Sequence, residues 1–221
     1  MTARDEWVRE KRRMNELRMD TFFAPDYDAH WGAIAPAHRR MLEQLLALLP
    51  SDGVLLDAAC GTGKYWQIIT DSGRSVRGID QSSGMLTNAR EKYPEIPTRK
   101  LGLQELDDVA LYDGVICMDA MENVFPEDWP LVLRNFHRAL KPEGYLYLTV
   151  EIADPDEIAV AYAAGLRLGY PVVSGEWAHE GGYHYYPALE QVRSWLRETP
   201  FDLLAEVEGD EYEHYLCRRA N

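Results

Sequence analysis

From residue 54 onward, short apolar runs alternate with stripes of helical period. Val54 to Ala58 is an apolar run interrupted only by Asp57, and Cys60-Gly61-Thr62-Gly63 turns the chain into a helix over 64–71. A second strand over 75–79 runs up to Asp80, and a helix over about 83–92 stops before Pro94. Thr98 to Leu103 reads as a third strand. Tyr112 to Met118 is the fourth, nearly continuous in apolar residues as a strand covered on both faces requires. Trp129, Val132, Leu133, Phe136 and Leu140 then fall on one face of a helix over 127–140. The turn Lys141-Pro142-Glu143-Gly144 ends that helix, and Tyr145 to Val150 is the fifth strand. Strand and helix in alternation predict a parallel sheet with helices on both faces.

The flanks are patterned differently. Residues 4–20 are dense in charge, with Trp7, Met14 and Leu17 as a thin apolar stripe. This predicts a helix lying on the surface or over a site, with a frayed arm as the alternative. Phe22 to Gly32 is an aromatic cluster broken by Pro25 and Gly32, either packing under a loop or a lid that stacks on a ligand. A helix over 38–49 buries Met41, Leu42, Leu45, Leu46 and Leu49 and stops at Pro50-Ser51-Asp52-Gly53. Beyond the fifth strand, Asp154-Pro155-Asp156-Glu157 opens a helix through about Leu168. Val172 to Tyr186 predicts a hairpin around Gly181-Gly182, and Pro187 starts a helix that turns Leu189, Val192 and Leu196 inward. Leu203–Val207 and Tyr212–Cys217 form a strand pair at the sheet edge. The expected fold is α/β: one doubly wound, mostly parallel seven-stranded sheet with an antiparallel edge strand, helices on both faces and an N-terminal helical lid.

Composition narrows the function. A chain of 221 residues fits one domain with a real core. A formal charge of −14 repels phosphate backbones and anionic membranes, so neither nucleic acid nor a membrane is the expected partner. Cys60, Cys117 and Cys217 are widely spaced in apolar surroundings and read as thiols of a reducing, cytoplasmic setting. The charged start of the chain lacks the apolar stretch of a signal peptide, and no run reaches membrane-spanning length.

Asp57, the glycine turn and Asp80 together describe a crevice for an adenosine-type ligand at the carboxyl ends of adjacent strands. Lys64 and Tyr65 stand where a dinucleotide fingerprint would carry its third glycine, and the Walker pattern is absent. A nucleoside without phosphate is therefore favoured.

Taken as a set, Asp57-x-Ala59-Cys60-Gly61-Thr62-Gly63, Gly78-Ile79-Asp80, Tyr112-Asp113-Gly114-Val115-Ile116 and Leu140-Lys141-Pro142-Glu143-Gly144-Tyr145-Leu146 resemble the successive motifs of class I S-adenosylmethionine-dependent methyltransferases, over roughly residues 38–151. The resemblance implies S-adenosylmethionine as cofactor and S-adenosylhomocysteine as product. It also implies that Asp57, Ala59, Gly61 and Gly63 line the methionyl end and that Asp80 holds the ribose. Gln81 and Met85 would flank the adenine, although helix packing explains them as well. Gly102-Leu103-Gln104-Glu105 matches the adenine-edge loop; the family often has an acid where Leu103 stands, so Gln104 would substitute. Met118, Asp119 and Ala120 would lie beneath the sulfonium, and Ala59 takes the place of the family's usual first glycine. The division is then a lid (1–50), a cofactor-binding core (51–151), a substrate-region insertion (152–187) and a C-terminal helix with its strand pair (188–221).

The acceptor is expected in the parts outside that core. Asp119-Ala120-Met121-Glu122 differs from the tetrapeptide associated with methylation of nucleic-acid bases, which favours a small molecule methylated on O or N. With Gly181-Gly182 as the hairpin loop, Glu180 faces Tyr183, His179 faces His184 and Trp177 faces Tyr186. Trp177, His179, His184 and Tyr186 then share one face, which would wall the acceptor with Met121. Tyr27 and Trp31 of the lid would contact the cofactor and wall the acceptor together with this face, and His184 is the candidate base. Glu122, Glu151, Glu176 and Glu180 would favour a cationic or amine acceptor. No metal-ligand set is expected, Asp119 being at most a lone ligand. A protein or RNA methyltransferase, or a silent cofactor-binding regulator, is the alternative; a monomer or homodimer fits either.

Overall fold

The computed structural model describes residues 2–179 and 182–220. Seven strands form one sheet: β1 (Val54–Ala58), β2 (Ser75–Asp80), β3 (Thr98–Lys100), β4 (Tyr112–Cys117), β5 (Leu140–Glu151), β8 (Phe201–Gly209) and β9 (Tyr212–Arg219). Their order is β3-β2-β1-β4-β5-β9-β8. The first five run parallel, and β9 enters antiparallel between β5 and the outermost β8. Since β1 pairs with both β2 and β4, the chain reverses its direction of winding beside β1. The carboxyl ends of β1 and β4 therefore flank an open crevice, where such folds bind ligands.

The alternation of strand residues sends side chains to two cores. Leu56, Val115, Cys117, Leu146 and Leu148 point to the side covered by α6 (Trp129–Ala139) and α8 (Leu189–Glu198). Leu55, Ile116 and Tyr147 point to the other side, under α3 (Pro36–Leu48), α4 (Trp66–Asp71) and α5 (Ser83–Lys92). Period-two alternation in β4 and β5 thus feeds helices on both faces.

Several boundaries differ from the sequence reading. Residues 60–65 stay in the turn, with Gly61 and Gly63 at φ +53° and +77°, so α4 starts only at Trp66. β3 stops at Lys100, and Leu103–Glu105 is a 3₁₀ turn. β5 begins at Leu140, and the expected turn at Lys141–Gly144 is carried within it as an irregularity with Glu143 at φ 61°.

The N-terminal helix α1 (Ala3–Arg18) starts at a Thr2/Asp5 capping box. It docks through Trp7, Val8, Lys11 and Asn15, while Leu17 of the expected stripe is 52% exposed. The aromatic stretch after it is helical throughout: a π turn (Met19–Phe23), a 3₁₀ turn (Ala24–Asp26) and α2 (Tyr27–Trp31). Pro25 sits at a helix start and Gly32 at a helix end, so neither breaks the run. After β5 come α7 (Pro155–Arg167) and a separate hairpin, β6 (Glu176–His179) with β7 (Gly182–Tyr185). Among the described residues no helix is long and apolar enough to cross a membrane.

Candidate active site

Three residues at the end of β1 are fixed by different demands. Asp57 is buried and accepts a hydrogen bond from Trp66 Nε1 at 2.8 Å, which ties α4 to the strand end. Burial, with Asp80 and Asp119 nearby, pushes its carboxyl up to about 7 despite the Trp66 bond. Gly63 is bare for the same helix: a Cβ there would come within 2.6 Å of the Trp66 ring. Gly61 is different. A Cβ would meet nothing within 4 Å, because this face of the turn opens on a cavity.

Asp80 lies across that cavity at the end of β2. Its carboxylate accepts from Gly61 N at 2.8 Å and from Ser82 N at 2.7 Å, which fixes its plane while leaving lone pairs for a ligand. Burial raises its carboxyl above the usual range, and the two amide donors hold that rise back. Ala59, Gly61, Asp80, Gln81, Met85 and Gln104 line one continuous cavity, closed at its far end by Asp119 and Ala120 and covered by Tyr27 of the lid. Ala59 stands at φ 63°, the left-handed region where a glycine costs nothing and an alanine is strained.

Asp119 follows β4, also left-handed at φ 54°, and its carboxylate draws three elements together. His38 Nε2 of α3 lies 2.6 Å from Oδ1, while Lys64 Nζ at 3.2 Å and Tyr65 OH at 2.8 Å donate to Oδ2. Burial alone would raise this carboxyl, but His38, Lys64 and Tyr65 outweigh it and hold it down at about 2. His38 does not stand out in the sequence, and Lys64 and Tyr65 are marked there only as replacements for a third glycine. Met118, expected beneath the sulfonium with Asp119 and Ala120, lines a small pocket at the glycine turn together with Asp57 and Asp119 and is absent from the lining of the first cavity.

A second cavity of about 550 Å³ adjoins the first and shares Met19, Tyr27, Gln81, Asp119 and Asn123 with it. The lid contributes Trp31 and His30, β9 contributes Tyr212, and the hairpin contributes Tyr183 and His184. Carboxylates of Asp119, Glu122, Glu151 and Asp210 face it. His184 Nδ1 lies 2.9 Å from Tyr186 OH and 3.3 Å from Glu151 Oε2.

Six expected placements are corrected. Trp31 faces the second cavity and is absent from the lining of the first, because it ends α2 beyond Tyr27. Glu105 turns back to accept from Gly102 N at 3.2 Å, capping its own 3₁₀ turn away from the cavity. Met121 is fully buried in the α6-side core, since the left-handed Asp119 redirects the chain before it. Trp177 and Tyr186 do not line the cavity; their rings contact each other at 6.3 Å, and Tyr186 supports His184. Glu176 is committed to Arg4 and Tyr183.

The hairpin pairing also shifts. Trp177 pairs with His184, Ala178 with Tyr183 and His179 with Gly182. The slip moves each partner by two residues and so preserves which side chains share a face. Gly182 pairs with His179 within β7 and Tyr183 with Ala178, so the expected Gly181-Gly182 loop and Glu180–Tyr183 pair do not form; Glu180, Gly181 and the His179 side chain lie outside the described residues.

Residues 56–148 match the family model described as a methyltransferase domain. The ubiquinone/menaquinone biosynthesis C-methyltransferase UbiE of Campylobacter jejuni is 33% identical over 217 residues, covering 90% of each chain. The malonyl-[acyl-carrier protein] O-methyltransferase of Pectobacterium atrosepticum is 30% identical over 135 residues, 58% of this chain and 51% of that one. The chain thus spans about half the length of some curated relatives and nine tenths of others. Among solved structures, a Burkholderia thailandensis 1,6-didemethyltoxoflavin-N1-methyltransferase with bound S-adenosylhomocysteine superposes with a TM-score of 0.74 at 17% identity, covering 96% of this chain and 90% of that one.

The chain belongs to the class I S-adenosylmethionine-dependent methyltransferases, and its cofactor is S-adenosylmethionine. The cavity suits that group: Gly61 leaves a cradle that a Cβ would fill, Asp80 offers oriented acceptors to ribose hydroxyls, and acids suit a sulfonium.

Proposed function

We propose that this enzyme methylates an oxygen or nitrogen of a small-molecule acceptor held between the lid and the hairpin. The observation that carries the reading is the shared wall of Tyr27, Gln81, Asp119 and Asn123, which joins the cofactor cavity to a second cavity of about 550 Å³. When bound, S-adenosylmethionine supplies a methyl group on a cationic sulfur that leaves as a neutral thioether.

The protein's contribution is position and proton management. Asp80 takes the ribose hydroxyls, Gly61 and Ala59 admit the methionyl chain, and Met85 and Gln104 bound the adenine, with Gln81 at the junction. Ala120 and Asp119 set the inner end, with Lys64, Tyr65 and His38 holding the Asp119 carboxylate in place. Asp57, Gly63 and Met118 support the turn from below. Tyr27 covers both ligands, and Trp31 covers the acceptor. His184 takes the acceptor proton: Glu151 and Tyr186 occupy Nδ1, which leaves Nε2 as the acceptor.

Buried free thiols at Cys60, Cys117 and Cys217 favour a reducing, cytoplasmic setting. Carbon methylation is the second reading, favoured by the Campylobacter relative named as a C-methyltransferase. Calorimetry against S-adenosylmethionine, S-adenosylhomocysteine and NAD, then a metabolite screen with carbon-13-labelled methyl donor, tests both. Binding of neither sulfur nucleoside refutes the reading, and the chemical shift of the transferred methyl separates O, N and C products. Replacing His184 by Ala is expected to slow turnover roughly a hundredfold at saturating acceptor; undiminished turnover removes the base.

A further inference from the structure

Glu122 lines the acceptor cavity and has no role in the scheme above. It sits on the 3₁₀ turn Met121–Asn123 that follows β4, and only 6% of it is exposed. Asn123 Nδ2 donates to its Oε1 at 3.1 Å, but Oε2 is buried with no hydrogen-bond partner. Leaving a buried carboxylate oxygen unmatched is costly, and the cost is removed by a ligand that brings a donor. Glu122 lines the cavity, and Glu151 of β5 lines it too.

We propose that Glu122 and Glu151 bind the ammonium group of an amine acceptor, and that Glu122 takes the proton that frees the nitrogen lone pair, leaving to His184 the proton lost from the methylated ammonium. The inference rests on the small-molecule reading above and chooses nitrogen within it. A hydroxyl brings one donor and no charge, so it cannot balance an ionised Glu122 beside Glu151, whose Oε2 already lies 3.3 Å from His184 Nδ1. An ammonium supplies three donors and a positive charge, and the rings of Tyr27, Trp31 and Tyr212 on the same cavity favour a cation further.

The groups whose fields couple to Glu122 are Glu151 on β5, Cys117 and Asp119 at the end of β4, Tyr27 on α2, Tyr186 after β7 and Tyr212 on β9. Every one is an acid; the basic groups on the same cavity are Arg18, His30, His38, Lys64 and His184, of which His38 and Lys64 are engaged by Asp119 and His184 by Glu151. Burial first, then Glu151 and Asp119, push the Glu122 carboxyl up to about 8. The free enzyme therefore carries a proton on Glu122 at neutral pH. Entry of R–NH3⁺ expels that proton to solvent, leaving the ion pair of ammonium and Glu122 carboxylate. One N–H proton then moves to Glu122 Oε2, giving neutral R–NH2 beside a protonated carboxyl with no net change in charge. The nitrogen lone pair is freed by that transfer, which an unprotonated carboxylate of raised affinity favours.

The test is calorimetry on protein saturated with S-adenosylhomocysteine, using a panel of arylalkylamines and their isosteric alcohols, of which 2-phenylethylamine and 2-phenylethanol are the smallest pair. Amines are expected to bind at least roughly tenfold more tightly than the alcohols at pH 7, the range of a charge-assisted hydrogen bond. Repeating the titrations in buffers of different ionisation enthalpy is expected to count close to one proton released per amine at pH 7, fading above pH 9. Glu122→Gln is expected to abolish both the preference and the proton release while leaving S-adenosylhomocysteine affinity unchanged; Glu151→Gln is expected to weaken the preference and retain the release. Amines that bind no better than alcohols to the wild-type protein, or release that persists in Glu122→Gln, overturn the proposal. If the Gln variant does not fold, the wild-type preference and proton count decide. Failure of S-adenosylhomocysteine itself to bind overturns the reading beneath.

Discussion

Arg4 is the test of how the lid is held. Its guanidinium reaches from the first turn of α1 to Glu176 of the hairpin, with Nη1 at 2.7 Å from Oε2 and Nη2 on Oε1, and Nη1 also donates to Pro171 O at 3.0 Å. The Glu176 side chain is 0% exposed and that of Arg4 17%. Arg4→Ala strands a buried carboxylate. Breaking such a pair costs about 3–5 kcal/mol. Two donors remain to Glu176, Tyr183 OH and Val173 N, each at 2.7 Å, and water can enter from the exposed edge of the Arg4 site. The expected loss is therefore at the lower end, about 3 kcal/mol. With a urea dependence of about 3 kcal/mol per molar for a chain of this size, the midpoint falls by about 1 M. The melting temperature falls by about 6–12 °C. Glu127 also pairs with Arg4, but it is 50% exposed, and Glu127→Ala is expected to cost under about 1 kcal/mol. Urea unfolding gives the global figure, and amide exchange across α1 and the hairpin shows whether the loss is taken locally by α1 undocking. A midpoint within about 0.3 M of wild type together with unchanged α1 protection would refute the account.

Ala59→Gly relieves the left-handed strain at φ 63°, worth about 1–2 kcal/mol, against an unfolded-chain entropy cost of about 0.4–1 kcal/mol. A net gain of about 0.5–1 kcal/mol in calorimetric stability is expected, and no gain refutes the strain. Asp57, raised to about 7, keeps its proton in the folded chain across roughly pH 4 to 7 where the unfolded chain has lost it, so stability falls as pH rises through that window and levels above it. Asp57→Asn retains an acceptor for Trp66 and is expected to remove its share of that fall, leaving the part due to Glu122, Asp80 and Glu213, read from urea midpoints at half-unit pH steps. Asp119, held at about 2, contributes stability that is complete above about pH 4 and lost as pH falls through its folded value. Asp119→Asn tolerates the left-handed backbone but unpairs Lys64 and His38, so a loss of about 2–3 kcal/mol and a large fall in labelled-methyl turnover are expected, and full turnover would remove Asp119 from the site.

The core of the fold was legible because β1, β2, β4 and β5 obey one rule: apolar alternation toward two helical layers. Asp80 and Gly61 were legible because they stand at strand ends, where sequence position and spatial position coincide. Past a strand end that coincidence fails. The left-handed turn at Asp119 buries Met121 and turns Glu122 to the cavity, and no periodicity carries across it. His38 reaches Asp119 from α3, 81 residues earlier in the chain, through tertiary packing alone. The α1 interface was misread for another reason. It is built from Arg4, Lys11 and Asn15 as well as Trp7 and Val8, so counting apolar positions put the buried face too far toward Leu17. In the hairpin, adjacent glycines allow more than one loop, and only the parity of the pairing was fixed.

The π turn after α1 carries one more consequence. Asp20 Oδ1 accepts from Ser82 Oγ at 2.6 Å and from Gly84 N at 2.9 Å, at the start of α5. A Cβ on Gly84 would come within 2.9 Å of Ala24, so that helix start is shaped to receive the lid. The segment that lines both cavities thus also finishes the helix that follows β2. Trimming the chain to the stretch that matches the methyltransferase model would leave α5 with open amides and a bare groove, a fragment with its cofactor wall unfinished.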